Sequence, residues 1–355
     1  MSDGGPVCAL EARFYSDLDI FAREQEAIFF KTWQYACHVS EVENAGDYVV
    51  FDVAGQSLFV IRDALGELRC FYNVCQHRAH ELLQDSGHRK VIRCPYHAWT
   101  YELDGALRGA PNSRNVPGFD KSKICLSEVR VEVFCGFVFV NLDAQAAPMA
   151  QWYGQAETDL RGYVPDIDSY KPVWTHAADE DCNWKVAVEN YNECYHCRVV
   201  HPSFTRGVIA PETVNIVPRE YTLRHSAQAV SEGSYEFADG DYRVIFLWPA
   251  MSIQVYPGQV VSTYWWRTRG AVKTEVFRGW LTRGGENDPE TMKIAEIDRD
   301  TTFAEDLPVL RDVQRGLASR GYRPGPLVLD PKGGVENELS IKTLHTWVRE
   351  ALGED

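Results

Sequence analysis

Apolar residues near the N-terminus recur at helical spacing, and further along the chain they alternate with polar ones. Phe21 and Ile28 are spaced as one face of a helix, which predicts a helix over residues 16–34 capped by Ser16 or Asp19. The alternation that follows predicts short strands joined by glycine turns. These strands cover residues 48–53, 57–62, 68–74, 129–134 and 136–141.

The second half of the chain mixes the two patterns. Residues 144–150 read as a linker, and residues 183–196 are predicted to be helical. Residues 242–248 and 260–267 have strand composition, and Asp288-Pro289 begins a long helical region that runs to about residue 317. We therefore expect an α+β protein with a small all-β domain at residues 40–143 and an α+β domain after it.

Composition excludes several classes of protein. The chain of 355 residues is 45% hydrophobic and carries a formal net charge of −15, so general nucleic-acid binding is not expected. No apolar run reaches the ~18 residues of a membrane span. The start lacks the features of a secretory signal, so we expect a cytoplasmic protein. Ten cysteines are scattered along the chain, and most of them are expected to be reduced and buried.

Two short motifs in the predicted β domain each combine one cysteine with one histidine. They are Cys75-Gln-His77 and Cys94-Pro-Tyr-His97, with 16 residues between His77 and Cys94. Structural zinc accepts the same side chains, but zinc sites favour CxxC and HxxxH pairs. The mixed pattern is the one that a Rieske [2Fe–2S] cluster requires, with cysteines on one iron and histidines on the other.

A second group of metal-binding residues follows in the predicted helix of residues 183–196. On its own, the pair His196-x4-His201 would be interpreted as two solvent-facing histidines. However, Asn190, Glu193 and either His196 or Cys197 follow at steps of three or four, so they share one helical face. Two imidazoles and one carboxylate form the facial triad that holds Fe(II) and leaves coordination sites open.

The triad needs a carboxylate from elsewhere in the chain, and Asp306 is the best candidate. It precedes Leu310 and Val313 on the apolar stripe of its helix. A carboxylate facing the core is costly unless a metal or another partner compensates its charge. Glu305 and Asp312 fall off this stripe, and we expect both to be solvated. Two metal centres in one chain indicate an oxidative enzyme.

With these motifs the sequence resembles the oxygenase component of a Rieske non-haem iron oxygenase, from about residue 30 to the end. Within that family it is similar to the subgroup that oxidises quaternary ammonium compounds. Ala79 departs from the glycine of many such proteins, which affects loop packing rather than ligation. The segments that carry the resemblance are Phe71-Tyr-Asn-Val-Cys-Gln-His-Arg-Ala-His-Glu-Leu-Leu83, Cys94-Pro-Tyr-His-Ala-Trp-Thr100, Asn183-Trp-Lys185, Glu189-Asn-Tyr-Asn-Glu-Cys-Tyr-His196, Glu305-Asp-Leu307 and Val313-Gln-Arg-Gly-Leu317.

The resemblance implies one [2Fe–2S] cluster and one Fe(II) per subunit, the latter on His196, His201 and Asp306. It implies that Glu193 bridges to His97 of an adjacent protomer in a homotrimer. It also implies a helix-grip (START-like) catalytic domain built from residues 1–39 and 144–355. Electrons would come from a separate NAD(P)H-dependent reductase, and O2 would be the oxidant.

The subgroup implies a small quaternary ammonium substrate of the carnitine or betaine type, oxidised at a carbon next to nitrogen. Such a cation is recognised by aromatic faces, and we expect Phe246, Trp248, Tyr256 and Tyr264 to supply them. Strand alternation puts Tyr264 and Trp266 on one face and Trp265 on the other. A substrate carboxylate would need a cation, and the open candidates are Arg206, Arg243 and Arg267. The alternative is an aromatic-ring-hydroxylating dioxygenase, which would have both metal sites and an apolar pocket.

Overall fold

The computed structural model describes residues 6–230, 240–330, 334–335 and 337–354. The chain forms two compact units: Phe29–Pro148, and Met1–Ile28 together with Met149–Asp355. The smaller unit covers more of the chain than residues 40–143, the range expected from the sequence. The reason is a strand at Gln34–His38, which pairs antiparallel with Phe137–Asn141 and so ties the preceding residues to this unit.

The smaller unit is an all-β domain. Seven strands form one sheet in the order β1-β10-β9-β4-β3-β2-β5, and three short strands form a second sheet in the order β6-β7-β8. The predicted strands are confirmed to within two residues. The strands are β1 Gln34–His38, β2 Asp47–Val53, β3 Gln56–Arg62, β4 Leu68–Tyr72, β5 Ser86–His88, β6 Ile92–Arg93, β7 Thr100–Tyr101, β8 Leu107–Gly109, β9 Glu128–Phe134 and β10 Phe137–Asn141.

The larger unit is built on one antiparallel sheet of seven strands in the order β11-β17-β16-β15-β14-β13-β12. Helices pack against this sheet, which is the helix-grip arrangement expected above. Its strands are β11 Tyr170–Glu180, β12 Asn215–Arg219, β13 Thr222–Gln228, β14 Asp241–Leu247, β15 Met251–Tyr256, β16 Val260–Gly270 and β17 Lys273–Arg283.

The helices of the larger unit come from both ends of the chain. The first is capped by Asp17, not by Ser16 or Asp19, because the Asp17 carboxylate accepts the Asp19 and Ile20 N–H groups. No helix within the described residues is long and apolar enough to cross a membrane. The helices are α1 Leu18–Glu24, α2 Met149–Tyr153, α3 Ala156–Tyr163, α4 Trp184–Tyr191, α5 Cys197–Val200, α6 Pro202–Gly207, α7 Pro289–Asp298, α8 Ala304–Leu317 and α9 Leu339–Leu352.

Helix α4 is shorter than the predicted helix over residues 183–196. Asn183 caps its start, and at its end the Asn192 side chain returns to the Val188 carbonyl. The Glu193 carboxylate then accepts the N–H groups of Tyr195 and His196. These side chains satisfy backbone groups that a continuing helix would use, so the chain turns at residues 192–196. Glu193 and His196 therefore lie on a turn rather than on a helical face.

A buried ion pair fixes the beginning of α4. The Lys185 ammonium donates to Glu24 of α1 at 2.6 Å, and the Trp184 indole N–H donates to the other oxygen of Glu24 at 2.9 Å. The side chains of Lys185 and Glu24 are 2% and 0% exposed. Because both charges are out of water, each depends on the other for compensation. The N-terminal helix is thereby tied to the helix that leads into the candidate metal site.

Replacing Lys185 with methionine should lower the free energy of unfolding by about 3–5 kcal/mol, because it leaves the Glu24 carboxylate buried without a cation. The double variant Glu24→Gln, Lys185→Met should recover much of that loss, since the glutamine still accepts the Trp184 N–H. Denaturant unfolding of the wild type, both single variants and the double variant measures the coupling. Lys273→Met, which breaks an exposed pair with Asp179, serves as the control and should change little. Equal losses in the single Lys185 variant and the double variant would contradict this account.

Candidate metal centres and substrate cavity

The two cysteine–histidine motifs adopt the same backbone turn. In the first loop the Ala79 N–H donates to the Cys75 carbonyl at 3.1 Å, and in the second the Ala98 N–H donates to the Cys94 carbonyl at 3.1 Å. Ala79 and Ala98 have φ values of 56° and 57°, in the left-handed region. Alanine adopts this region at a cost of about 1 kcal/mol. The departure from glycine at residue 79 therefore changes loop strain and leaves the ligand-bearing turn in place.

The four side chains of these loops fit a Rieske cluster by donor type and by exposure. The thiols of Cys75 and Cys94 are buried, at 2% and 3% exposure, whereas His77 is exposed and His97 is half-buried. The rings of His77 and His97 lie 4.7 Å apart, centroid to centroid. This arrangement suits a cluster whose cysteine-bound iron is inside the domain and whose histidine-bound iron is at the surface. Electrons would then enter and leave through the imidazoles.

A tyrosine hydroxyl lies against one of the buried sulfurs. Tyr101 places its oxygen 3.2 Å from Cys75 Sγ and accepts the Gln76 N–H at 3.0 Å. If Cys75 binds iron as a thiolate, its sulfur can only accept, and the Tyr101 hydroxyl would donate to it. Trp99 stacks on the His77 ring at 4.6 Å with 3° between the planes. The first loop is therefore held by side chains that do not bind the metal themselves.

The predicted residues of the second site meet at one point in the larger unit. His196 Nε2 and His201 Nε2 are 3.1 Å apart, His201 Nε2 and Asp306 Oδ1 are 3.1 Å apart, and His196 Nε2 and Asp306 Oδ1 are 3.8 Å apart. Two ligands about 2.1 Å from one metal ion and at right angles to each other are about 3 Å apart. The three donor atoms thus have the spacing of one face of a coordination sphere.

Carboxylates hold the outer nitrogen of both imidazoles. Glu193 accepts from His196 Nδ1, and Glu305 accepts from His201 Nδ1 at 2.9 Å. With Nδ1 engaged, each ring presents Nε2 to the shared point, as metal-binding histidines commonly do. The expectation that Glu305 is merely solvated was wrong. The sequence gives no sign of this contact, since Glu305 and Asp306 are adjacent and only the fold shows that both reach His201.

Three further contacts shape this site. Asn190 donates to Asp306 Oδ1 at 2.9 Å, which orients the carboxylate. Pro202 begins α6 rather than only ending the preceding helix, and it leaves His201 between α5 and α6. Cys194 and Cys197, on either side of His196, form a disulfide. This pair departs from the expectation of reduced cysteines and restrains the turn that carries His196.

A cavity of about 90 Å³ adjoins this site, and residues of the sheet form one of its walls. Tyr256 and Tyr264 line it, as expected. Phe246 and Trp248 do not. Phe246 lies beside Ser252 in the sheet, where the Tyr191 hydroxyl contacts Ser252 and closes the cavity. Trp248 packs instead against Trp184 and Trp347, with ring centroids at 5.7 and 5.4 Å.

Three aromatic residues absent from the sequence-based list, Tyr191, Phe204 and Tyr242, line the cavity. The ring of Tyr242 meets those of Phe204 and Tyr256 at 81° and 68°, with centroids 5.6 and 5.1 Å away. These three rings form a corner of aromatic walls. The period of β14 could have identified Tyr242, because it lies four residues before Phe246 on the same face. Tyr264 is less available to a ligand, since the Arg278 guanidinium already lies 4.3 Å from its ring centroid.

The positive charge nearest to the cavity is already neutralised. Arg278 is fully buried and donates to Asp298 at 2.9 and 3.2 Å, to the Tyr256 hydroxyl at 2.9 Å and to Ser262 Oγ at 2.7 Å. Among the described residues, no arginine or lysine lines the cavity. The open candidates Arg206, Arg243 and Arg267 are therefore not among its walls. Arg243, for example, pairs with Asp241 on the other face of β14.

Burial sets the charge of two titratable groups around the cavity. It lowers the pKa of His225, which lines the cavity, to about 3, so this imidazole is neutral. Burial, reinforced by nearby Asp306, raises the pKa of Glu180 to about 8. The carboxylates of Glu193, Asp298 and Asp306 line the same cavity. Asp298 is paired with Arg278, Asp306 belongs to the three-ligand site and Glu193 is bonded to His196, so the aromatic rings are the part of the lining that favours a cationic ligand.

A Rieske-type ligand set and a two-histidine, one-carboxylate site in one chain define an oxygenase that receives its electrons through an iron–sulfur cluster. Comparison of the sequence with family models agrees. Residues 32–120 match the Rieske [2Fe-2S] domain, and residues 167–354 match the ring hydroxylating alpha subunit (catalytic domain). The chain belongs to the Rieske non-haem iron oxygenases, as an oxygenase (alpha) subunit, and is an oxidoreductase.

Similar proteins group the chain within this family. It is 35% identical to the carnitine monooxygenase oxygenase subunit of Escherichia coli (strain K12), over 97% of this chain and 93% of the relative. It is 31% identical to the glycine betaine monooxygenase oxygenase subunit of Pseudomonas aeruginosa, over 93% and 87%. A solved quaternary ammonium Rieske monooxygenase superposes with a TM-score of 0.93 at 31% identity, covering 98% of this chain and 96% of that one.

Substituting Tyr101 with phenylalanine should lower the reduction potential of the cluster by tens of millivolts, because hydrogen bonds to the ligand sulfurs stabilise the reduced, more negative state. Redox titration followed by the visible spectrum of the cluster measures the shift. Tyr72→Phe, also in the smaller unit, is the control and should leave the potential unchanged. A Tyr101→Phe potential equal to that of the wild type would show that the hydroxyl does not bond the sulfur.

Proposed function

We propose that the chain is the oxygenase subunit of a two-component Rieske monooxygenase that hydroxylates a carbon next to nitrogen in a quaternary ammonium compound. The hydroxylated product would break its C–N bond or lose an N-methyl group as an aldehyde. The observation that supports this most directly is the aromatic corner of Phe204, Tyr242 and Tyr256 in the cavity beside the three-ligand site. The carnitine and glycine betaine activities of the relatives support the same substrate class.

The metal sites have separate roles in this proposal. Cys75 and Cys94 would bind one iron of the cluster, and His77 and His97 the other. His196, His201 and Asp306 would bind Fe(II), which when present supplies the activation of O2. A separate NAD(P)H-dependent reductase would provide the electrons. The protein would work in the cytoplasm, which its free cysteines support.

We propose a homotrimer in which electrons pass from the cluster of one protomer to the iron site of the next. The resemblance to Rieske oxygenases supports this arrangement, and Glu193 is suited to the transfer. One of its oxygens accepts from His196 Nδ1, the other accepts the Tyr195 and His196 N–H groups, and the side chain is still 14% exposed, which is where a neighbour would reach it. His97 of the adjacent protomer would be its partner.

The residues of the cavity would bind and orient the substrate. The ammonium group cannot form hydrogen bonds, so the rings of the aromatic corner would hold it, each contributing roughly 0.5–2 kcal/mol when desolvated. A ring-hydroxylating dioxygenase remains the alternative, but its substrates are neutral and gain no cation–π attraction from the aromatic corner.

Substituting Asp306 with alanine should remove the mononuclear iron, about one third of the total iron per chain, and abolish turnover. The Rieske spectrum should persist, because the cluster uses other ligands. Metal and acid-labile sulfide analysis, together with EPR of the reduced protein, measures both sites. Asp312→Ala on the same helix is the control and should keep all the iron. Full iron content and activity in the Asp306 variant would refute this ligand set, as would stoichiometric zinc without sulfide in the wild type.

Glu193→Gln provides a contrasting variant. It should retain both metals and lose most of its turnover, since the amide cannot serve as the charged link between imidazoles. Rapid mixing of the reduced variant with O2 and substrate follows oxidation of the cluster. Cluster oxidation at the wild-type rate would show that Glu193 is not needed for the transfer.

Quaternary ammonium compounds should be oxidised when a competent reductase is supplied. We would test carnitine, γ-butyrobetaine, glycine betaine, stachydrine, choline and naphthalene by oxygen uptake and by release of formaldehyde or trimethylamine. A neutral isostere with carbon in place of nitrogen should bind at least about tenfold more weakly than its cation. Phe204→Leu should reduce this difference, because it removes a ring face and keeps an apolar side chain. Activity on naphthalene alone would favour the ring dioxygenase.

A further inference from the structure

A second cavity, of about 200 Å³, lies in the larger unit beside helix α4. Its lining is mostly apolar, and we call it the polar cavity for the four ionisable residues among its walls, which are Glu189, Glu193, Glu338 and His345. Asn190 and Glu193 are the two residues, among those described, that line both this cavity and the substrate cavity. The polar cavity therefore reaches the mononuclear site from a direction that the substrate does not use.

Glu189 and His345 of the polar cavity form a hydrogen-bonded network with Tyr15. Tyr15 donates to Glu189 at 2.9 and 3.0 Å, and His345 Nε2 lies 3.1 Å from Glu189 Oε1. Because an ionised carboxylate only accepts, His345 must carry a proton on Nε2 in this arrangement. The proton on His345 therefore faces a carboxylate that can receive it.

Glu338 is the outer member of the group. Its side chain is half-buried, and it accepts the Val328 N–H at 2.7 Å. Burial raises its pKa, and the nearby carboxylates of Glu193 and Glu189 add to the shift. A carboxyl with a raised pKa exchanges its proton closer to neutral pH than a free one. The other ionisable groups packed near the network are Tyr322 and the ion pair of Glu24 with Lys185.

The reaction needs protons as well as electrons. Monooxygenation follows R–H + O2 + 2 e⁻ + 2 H⁺ → R–OH + H2O, so two protons must reach the iron site for every substrate oxidised. The reductase and the cluster supply only the electrons. On the substrate side, His225 is neutral and Asp298 is held by Arg278. Proton donors with access to solvent lie on the side of the polar cavity.

We propose that the polar cavity is the proton-entry route of the mononuclear site. Glu338 takes protons from solvent, and His345 and Glu189 pass them across the cavity. Water in the cavity then delivers them at the boundary formed by Asn190 and Glu193. A space of this size has room for several water molecules, and Glu189, Asn190, Glu193, Glu338 and His345 offer them hydrogen-bond partners. Any substrate that is oxidised at this site requires the same two protons. The proposed proton route therefore depends on the reduction of O2 and not on which amine is the substrate.

His345→Gln separates proton transfer from a structural role. The glutamine amide can still donate to Glu189, but it cannot relay a proton. The variant should keep the iron content and Rieske spectrum of the wild type and lose about tenfold or more of its turnover rate. It should also release a larger fraction of the consumed O2 as hydrogen peroxide, and its solvent deuterium isotope effect should increase. Wild-type turnover in this variant would overturn the proposal.

Chemical rescue provides a second and independent test. His345→Ala leaves space for imidazole, and calorimetry on the resting protein measures whether imidazole binds there. Added imidazoles should restore turnover, and the restored rate should vary systematically with their pKa. Equal rescue by all derivatives would show that they only fill space, and this would overturn the proposal. His176→Ala is the matched control, because His176 packs against Trp174 and Phe303 outside the polar cavity.

Failure of this proposal can be distinguished from failure of the proposed function. If no quaternary ammonium compound is oxidised, the proposed function is wrong. The same variants can then be compared in O2 reduction by the chemically reduced protein, which consumes protons without a substrate. Equal rates for wild type and His345→Gln in that assay would overturn the proton route alone.

Discussion

The catalytic unit depends on holding three polar side chains within about hydrogen-bond distance of one another. His196, His201 and Asp306 come from two segments far apart in the sequence, and nothing in their own chemistry draws two imidazoles together. The surrounding groups impose the geometry: Glu193 and Glu305 fix the outer imidazole nitrogens, and Asn190 fixes the aspartate. Such preorganisation leaves the three donor atoms ready for a metal without rearrangement of the chain.

Much of this arrangement follows from local features of the sequence. The glycine turns of the β domain and the helix that starts at Asp288-Pro289 are set by neighbouring residues, and their predictions are confirmed by the fold. Asp306 was chosen because it lies on the apolar stripe of its helix, and Leu310 on that stripe is indeed buried, although Val313 is 46% exposed. Local patterns succeed where the chemistry of a few adjacent residues decides the outcome.

One error has a local cause. The end of helix α4 depends on the Asn192 and Glu193 side chains competing for backbone groups, which helical periodicity does not show. The other errors lie where distant residues decide. The contact of Glu305 with His201 depends on how α8 packs against α4. Phe246 shares the face of β14 that carries Tyr242 and Val244, but the sequence does not show where along the strand the cavity ends.

The twin turns that carry the cluster motifs have a kinetic consequence. Each turn is closed by its own backbone hydrogen bond and carries one alanine in the left-handed region, so the backbone itself would set the ligand positions of a bound cluster. A change in the oxidation state of that cluster would then require little movement of the surrounding atoms. The reorganisation energy for gaining or losing an electron would be correspondingly small, which would favour rapid electron exchange even when the driving force is modest.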